Sequence, residues 1–379
     1  MKQNIYLLLW CILMCYTDIQ AQENVLPDWA LGDFVRPESA NPVIVPNVKS
    51  HFYCPMQKKQ VKWEESDVFN PAAVVKDGKI QVLYRAEDNS ATGIGKRTSR
   101  IGLAESEDGI RMKRRKSPVM FPADDNAREW EWPGGCEDPR VAVTEDRLYV
   151  MMYTSWNRKI PRLAVATSRD LLTWEKHGPV FADAYNGRFK DMACKSGSIV
   201  TKIEGDRQVI AKINGKYLMY WGERMVAVAV SDDLIHWTPA LNADNEILGL
   251  IFPREGHFDS ELTECGPPAL ITDKGILLLY NGKNLKNDKR DIRFNAGTYS
   301  AGQVLFDLND PYKVIARLDV PFFCPMADFE KSGQYTDGTV FIEGLVYYHQ
   351  KWYLYYGCAD SKVGVAIFDP ATRRKKREN

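Results

Sequence analysis

The chain has 379 residues, 45% hydrophobic and 26% charged, the composition of one large or two medium globular domains. Fifty basic residues balance fifty acidic ones, so no global field draws the protein to nucleic acid or to an anionic membrane surface. The basic run Arg373–Arg377 reads as a solvated tail.

The N-terminus, MKQNIYLLLWCILMCYTDIQAQE, has one lysine, an apolar stretch from Ile5 to Tyr16, and Ala21 before polar sequence. This pattern predicts a secretory signal peptide over residues 1–21, hence export to the periplasm or the cell surface. The apolar run is too short for a spanning helix, so membrane insertion is not expected. Trp10 and Met14 precede Cys11 and Cys15, where a lipoprotein signal has a small residue. Residues 22–60 are expected to form an extension that packs on the main domain, residues 61–379. The remaining cysteines, Cys54, Cys136, Cys194, Cys265, Cys324 and Cys358, show no CxxC spacing. They read as small buried side chains, neither a disulfide framework nor a zinc site.

A recurring pattern begins at PAAVVKDGKIQVLYR and returns in PRVAVTEDRLYVMMYT, VIAKINGKYLMYW, PPALITDKGILLLYN and GLVYYHQKWYLYYG. Each is an apolar strand, a polar turn and a second apolar strand ending in tyrosine. Gly, Asn and Asp at the turns supply the positive φ that tight hairpins need, which predicts antiparallel hairpins. Between them lie GLAESEDGIRM, RLAVATSRDLLTW and MVAVAVSDDLIHW, whose serines Ser106, Ser168 and Ser231 are 62 and 63 residues apart. Ser and Asp bond nearby backbone in tight turns, so this unit is read as architecture. Five hairpins at a period of about 60–75 residues predict an all-β fold, a five-bladed β-propeller.

Polar groups gather where the hairpins begin and end. They are Asn70 in FNPAAVV, Arg85 and Asp88 in YRAED, Glu137, Asp138 and Arg140 in GGCEDPR, Glu223 and Arg224 in YWGER, Glu264 in TECGPP, and Asp360 in YYGCAD. Fivefold geometry would bring these points to one axis. Carboxylates and arginines there, with Trp130, Trp132 and Trp221 nearby, predict a carbohydrate site, and several carboxylates suggest acid–base cleavage of a glycosidic bond. His257, Asp259 and Glu261 alternate and could share a strand face as metal ligands. One histidine with oxygen ligands is a weak signature, so neither metal nor cofactor is expected.

In FNPA, YRAED, EDPR, GPP and YYG-x-AD, in this order over nearly the whole chain beyond the signal, the sequence resembles glycoside hydrolase family 130, β-mannoside phosphorylases and β-mannosidases on a five-bladed propeller. The resemblance implies that Asp138 is the general acid, passing its proton through a mannose hydroxyl. It also implies that Glu223 and Glu264 take the place of a phosphate-binding basic cluster and activate water, as in a secreted subset that hydrolyses β-1,2-linked mannosides. Single displacement with inversion follows, for which acid and base stand about 6.5–9.5 Å apart. Asn70, Arg85, Asp88, Glu137, Arg140, Arg224 and Asp360 are the expected sugar-binding positions, and a mannose-containing oligosaccharide is the expected partner. Oligomeric state stays open. Two rivals stand beside this reading: a phosphorylase in which Arg162, Lys212 and Arg224 bind phosphate, and a non-catalytic glycan-binding propeller.

Overall fold

The computed structural model describes residues 25–373. The expected signal peptide, residues 1–21, lies outside them, as does most of the basic run Arg373–Arg377. The regular structure of the described residues is almost entirely β, with short helical stretches at Arg128–Glu131 and residues 370–373 and a 3-10 turn at Asp328–Glu330.

Strands β1 (Phe52–Cys54) and β2 (Lys59–Val61) form a small hairpin. Next, β3 (Asp67–Lys76), β4 (Lys79–Glu87), β5 (Ser99–Ser106) and β6 (Lys113–Arg114) make an antiparallel meander. The order repeats in β7 (Gly135–Val143), β8 (Tyr149–Trp156), β9 (Pro161–Ser168) and β10 (Glu175–Pro179). Strand β11 (Gly197–Glu204) pairs with β12 (Arg207–Ile210); β13 (Lys212–Ile213) then leads into β14 (Lys216–Trp221), β15 (Val226–Ser231), β16 (Trp237–Pro239) and β17 (Gly249–Ile251). Both β18 (Leu262–Cys265) and β19 (Ala269–Thr272) pair with β20 (Gly275–Lys283), which continues into β21 (Tyr299–Phe306) and β22 (Val314–Arg317). The last meander is β23 (Val340–Tyr348), β24 (Lys351–Cys358) and β25 (Lys362–Phe368). Leading strands meet one another: β3 packs on β7, β7 on β11, β11 runs parallel to β19, and β23 touches both β20 and β3. The sheets therefore curl round a shared set of inner strands, whose residues are buried on both faces, as in the first eight of β3.

Local chemistry explains the punctuation. Asp77 and Gly78 take φ of 51° and 71°, and Asn214 and Gly215 take 50° and 83°, the pair of positive values a two-residue hairpin requires. In the Ser-x-Asp units, Asp108, Asp170 and Asp233 each accept two backbone N–H groups, and Ser106, Ser168 and Ser231 accept a third. Those residues are turn-formers, as read from the sequence.

The inner strands share a second feature. The register of β3 against β4 slips at Asn70, that of β7 against β8 slips across Asp138 and Pro139, and that of β23 against β24 slips at Glu343. Asn70 and Asp138 sit at φ 46° and 50°. Each bulge turns one polar side chain out of the sheet. A proline follows two of them, Pro71 and Pro139, where a missing N–H costs the ladder nothing.

Residues before β1 run beside β25, with bridges from Val35 to Ile367 and from Ile44 to Val363. Arg36 fixes this strap: its guanidinium donates to both oxygens of fully buried Glu330 at 2.6 and 3.0 Å and to the Cys324 carbonyl at 2.8 Å, and lies 4.0 Å above the Phe323 ring. Removing one partner of such a pair leaves a buried charge unpaired. Arg36→Ala is therefore expected to lower unfolding free energy by about 3 kcal/mol, read as a lower urea midpoint, with Arg36→Lys recovering part of the loss. An unchanged midpoint would mean that the strap adds no stability.

Candidate active site

The bulges of β3 and β7 face one cavity of about 160 Å³, at the end of the inner strands where Asn70 and Asp138 lie. Asn70 Nδ2 donates to Asp138 Oδ1 at 2.9 Å, while Asn70 Oδ1 is buried with no hydrogen-bond partner among the described residues. Gly357 backs onto Asn70; a Cβ there would lie 2.4 Å from Asn70 Oδ1. Gly135, at φ 122°, passes so close to Ser99 that a Cβ would meet its carbonyl oxygen at 2.2 Å, so the entry to β7 needs glycine. Arg85 reaches across from β4. It donates to Asp138 Oδ1 at 3.0 Å, to Glu137 Oε1 at 2.9 Å, to Glu87 Oε1 at 2.6 Å and to Ser99 Oγ at 3.0 Å, and stacks 4.6 Å over Phe69.

Three backbone segments build the other wall. The Gly222 N–H donates to the carbonyls of Lys195 and Ser196 at 3.1 and 3.2 Å, the Cys265 N–H donates to the Gly222 carbonyl at 3.2 Å, and Glu223 and Glu264 form an isolated β-bridge. These ties bring Lys195 Nζ within 3.3 Å of Glu223 Oε1 and 3.4 Å of Glu264 Oε1. Ser196 Oγ also donates to Glu264. Tyr299, Tyr335, Phe341 and Phe69 supply ring surface, and Ile94, Gly95 and Gln334 complete the rim.

Six carboxyl groups line the cavity (Glu87, Glu137, Asp138, Glu223, Glu264 and Asp360) against two cations, Arg85 and Lys195. Burial and mutual repulsion make full ionisation costly. Burial raises Glu137 to about 7 against the pull of Arg85, with Asp138 and Glu87 raising it further. Burial also raises Asp360 to about 7 against the same arginine. Burial raises Glu264 as well, opposed by Lys195. Asp138 goes the other way: burial works to raise it, but Arg85, Lys195 and the Asn70 hydrogen bond hold it at about 2. Glu137 and Asp138 share Arg85 and titrate as a pair.

Of the residues picked out from the sequence, Asn70, Arg85, Glu137, Asp138, Glu223, Glu264 and Asp360 line this cavity. Three do not. Asp88 turns aside to bond Arg100 at 2.8 Å; Arg224 is solvent-exposed beyond the wall; Arg140 is buried beneath the cavity and bonded to backbone carbonyls. The rings are not the expected tryptophans either: Trp221 packs in the core on Phe181, and Trp130 and Trp132 lie outside the wall. Asp259 is held by Arg254 and Arg317, and Glu261 by Lys283. Sequence reading missed Lys195 and Glu87. Lys195 stands two residues before the inner strand β11, at the end corresponding to the one where GGCED opens β7, and that parallel was its one signal. A second cavity of about 230 Å³, near the hairpin turn after β3, is lined by apolar strand ends and cations, with Asp77 its only carboxylate.

Clustered carboxyls with aromatic faces, on an all-β scaffold, are the equipment of a glycoside-active enzyme. Residues 38–371 match the family model for glycoside hydrolase family 130, described as beta-1,4-mannooligosaccharide phosphorylase, and the chain belongs to that family. It is 34% identical over 319 residues to a 1,2-beta-oligomannan phosphorylase of Thermoanaerobacter sp. (strain X514), covering 83% of this chain and 94% of the relative. A crystal structure of a glycosyl hydrolase from Bacteroides ovatus is 62% identical, with a TM-score of 0.90 over 91% of this chain and 96% of that one. Another solved structure is 63% identical, with a TM-score of 0.91 over 92% and 97% of the two chains. It is described by the statement that the GH130 family of mannoside phosphorylases contains glycoside hydrolases that target β-1,2 mannosidic linkages in Candida mannan.

The raised Asp360 carboxyl has a consequence for stability. An unfolded chain releases this proton near pH 4, whereas the folded protein holds it to about 7. The folded state binds more protons in that window, so this contribution is fully present below about pH 4 and is lost as pH rises through 7. Asp360→Asn is expected to leave stability at pH 4 near wild type and to raise it at pH 8 by about 1–4 kcal/mol, measured by urea unfolding. Equal effects at both pH values would contradict this environment for Asp360.

Proposed function

We propose that the protein is an inverting hydrolase that releases mannose from β-1,2-linked mannosides. In this reading the meanders are the blades of a five-bladed propeller over residues 61–379, with residues 22–60 as an extension and the amino-terminal sequence directing export. Asp138 delivers a proton to the glycosidic oxygen. Glu223 and Glu264 hold a water on the opposite face and take its proton as its oxygen attacks the anomeric carbon, giving α-mannose.

The observation that carries hydrolysis over phosphorolysis is the charge of the cavity wall, six carboxyls against two cations. An inorganic phosphate dianion would enter against that field. None of the cations that a phosphorylase reading needed lines the cavity: Arg162 bonds Asp191 at 2.6 Å, Lys212 lies 4.6 Å over the Tyr217 ring, and Arg224 is solvent-exposed. The same carboxyls weigh against a purely glycan-binding protein, because clustered buried acids are costly unless used.

The proton donor has a second reading, favoured by one observation. Burial raises Glu137 to about 7 while Arg85 and Lys195 hold its neighbour Asp138 low, so a proton taken up by the pair favours Glu137 over Asp138 in the free enzyme. We assign delivery to Asp138, because a proton on the pair can pass to it when a mannose hydroxyl replaces part of its Arg85 and Asn70 bonding. Direct donation by Glu137 is the alternative.

On β-1,2-mannobiose in phosphate-free buffer, Asp138→Asn, Glu223→Gln and Glu264→Gln are each expected to lower kcat at least about 100-fold. Folding, read by circular dichroism, is expected to stay intact. Glu137→Gln is expected to be milder. A Glu137→Gln loss exceeding that of Asp138→Asn would transfer the acid role, and wild-type turnover in Glu264→Gln would remove that residue from the base.

A further inference from the structure

Arg140 lies directly beneath the cavity, with its side chain 1% exposed. Its guanidinium makes three hydrogen bonds, all to backbone carbonyls. Nη1 donates to the carbonyl of Asp138 at 3.0 Å, Nε to that of Gly266 at 3.0 Å, and Nη2 to that of Cys265 at 2.7 Å. Two of the acceptors are the residues that follow Glu264 in the chain, and the third is Asp138 itself. Five N–H groups in a rigid planar fork make Arg the side chain suited to holding several carbonyls at once. Nη1 also stands 3.0 Å from Oε1 of Glu343, the fully buried residue at the β23 bulge, whose carboxyl oxygens have no hydrogen-bond partner among the described residues.

One planar group therefore ties the carbonyl of Asp138 to those of Cys265 and Gly266, the two residues just beyond Glu264, across more than a hundred residues of sequence. Asp138 sits at φ 50° on an irregular stretch of β7, and Glu264 lies in a four-residue strand that ends at Cys265. Neither carboxyl is placed by a long regular ladder. In a single displacement the water must fit between acid and base, so their separation decides the rate, and a misplacement of about 1 Å can cost about 100-fold.

We infer that Arg140, steadied by Glu343, is a positioning residue that sets the separation of the two sides of the reaction and does not bind sugar. The inference rests on the proposed roles of Asp138 and Glu264. Arg140→Lys keeps the charge, but an ammonium on a single stem cannot hold three carbonyls in one plane. Kinetics on β-1,2-mannobiose are read well below each variant's Tm, where all of the protein is folded, with wild type alongside in phosphate-free buffer. The expected result is a kcat about 30–100-fold lower with KM within about threefold of wild type. A merely structural role would lower Tm but leave kcat of the folded enzyme unchanged, and a sugar-binding role would raise KM. Either result overturns the inference.

Glu343→Gln keeps the side-chain volume and stands in if Arg140→Lys does not fold. It is expected to lower kcat about 3–10-fold at unchanged KM, and wild-type kcat in that variant would overturn Glu343's part. Wild-type enzyme that releases no mannose without phosphate would instead fail the underlying hydrolase reading, so the two failures are distinguishable.

Discussion

Arg85 donates from one guanidinium to Glu87, Glu137 and Asp138, and Lys195 stands within 3.4 Å of both Glu223 and Glu264. These two cations are what allow six carboxyl groups to share one small cavity. Burying that much like charge is expensive, and the cavity meets the cost in two ways. Burial raises Glu137 and Asp360 to about 7, so these carboxyls hold protons to higher pH than free ones do. The others are bound to the cations. The division matters for the proposed chemistry, because an inverting glycosidase needs one protonated and one ionised carboxyl at the same pH.

The second constraint is where the inner strands break. A regular ladder would point every other side chain into a neighbouring sheet. At Asn70, Asp138 and Glu343 an extra residue interrupts the register, and at Gly266 to Pro268 the chain leaves β18 before resuming as β19. The polar group at each break is freed from sheet packing and turned toward the middle of the molecule. Asn70 and Asp138 enter the cavity there, whereas Glu343 and Arg140 remain below it as its floor. The floor holds backbone and the cavity holds side chains, which is why Arg140, though only two residues from Asp138, has a different set of partners.

Much of this was legible in the sequence, for reasons that can be named. Asn70-Pro71, Asp138-Pro139 and Gly266-Pro267-Pro268 place proline inside apolar runs, and proline in an inner strand marks a break in the ladder. Hairpins at KDGK and INGK were readable because their turns need residues that accept positive φ. Direction was not readable. Asp88 and Arg140 lie in the same short motifs as Arg85 and Asp138, yet one points to Arg100 and the other to main-chain carbonyls. Strand alternation alone assigns the two faces, and the bulge in the EDPR motif resets that alternation. Lys195 was missed because its position depends on ties between segments far apart in the chain, whereas Glu87, two residues from Arg85 on β4 and bonded to it, was within reach of strand alternation. Nothing local marks the three-segment tie of Lys195, Gly222 and Cys265.

Family membership leaves the second reactant to the chemistry of the wall. Family 130 includes relatives named as phosphorylases, among them the 34%-identical oligomannan enzyme, and positive charge in a cavity favours phosphate. The present cavity has the opposite balance, and the proposed account turns on that difference. The measurement that tests it most directly is proton NMR of the anomeric signals during digestion of β-1,2-mannobiose, with and without inorganic phosphate. The account predicts α-mannose as the first product, at equal rates in both. Mannose 1-phosphate formed only when phosphate is present would contradict it.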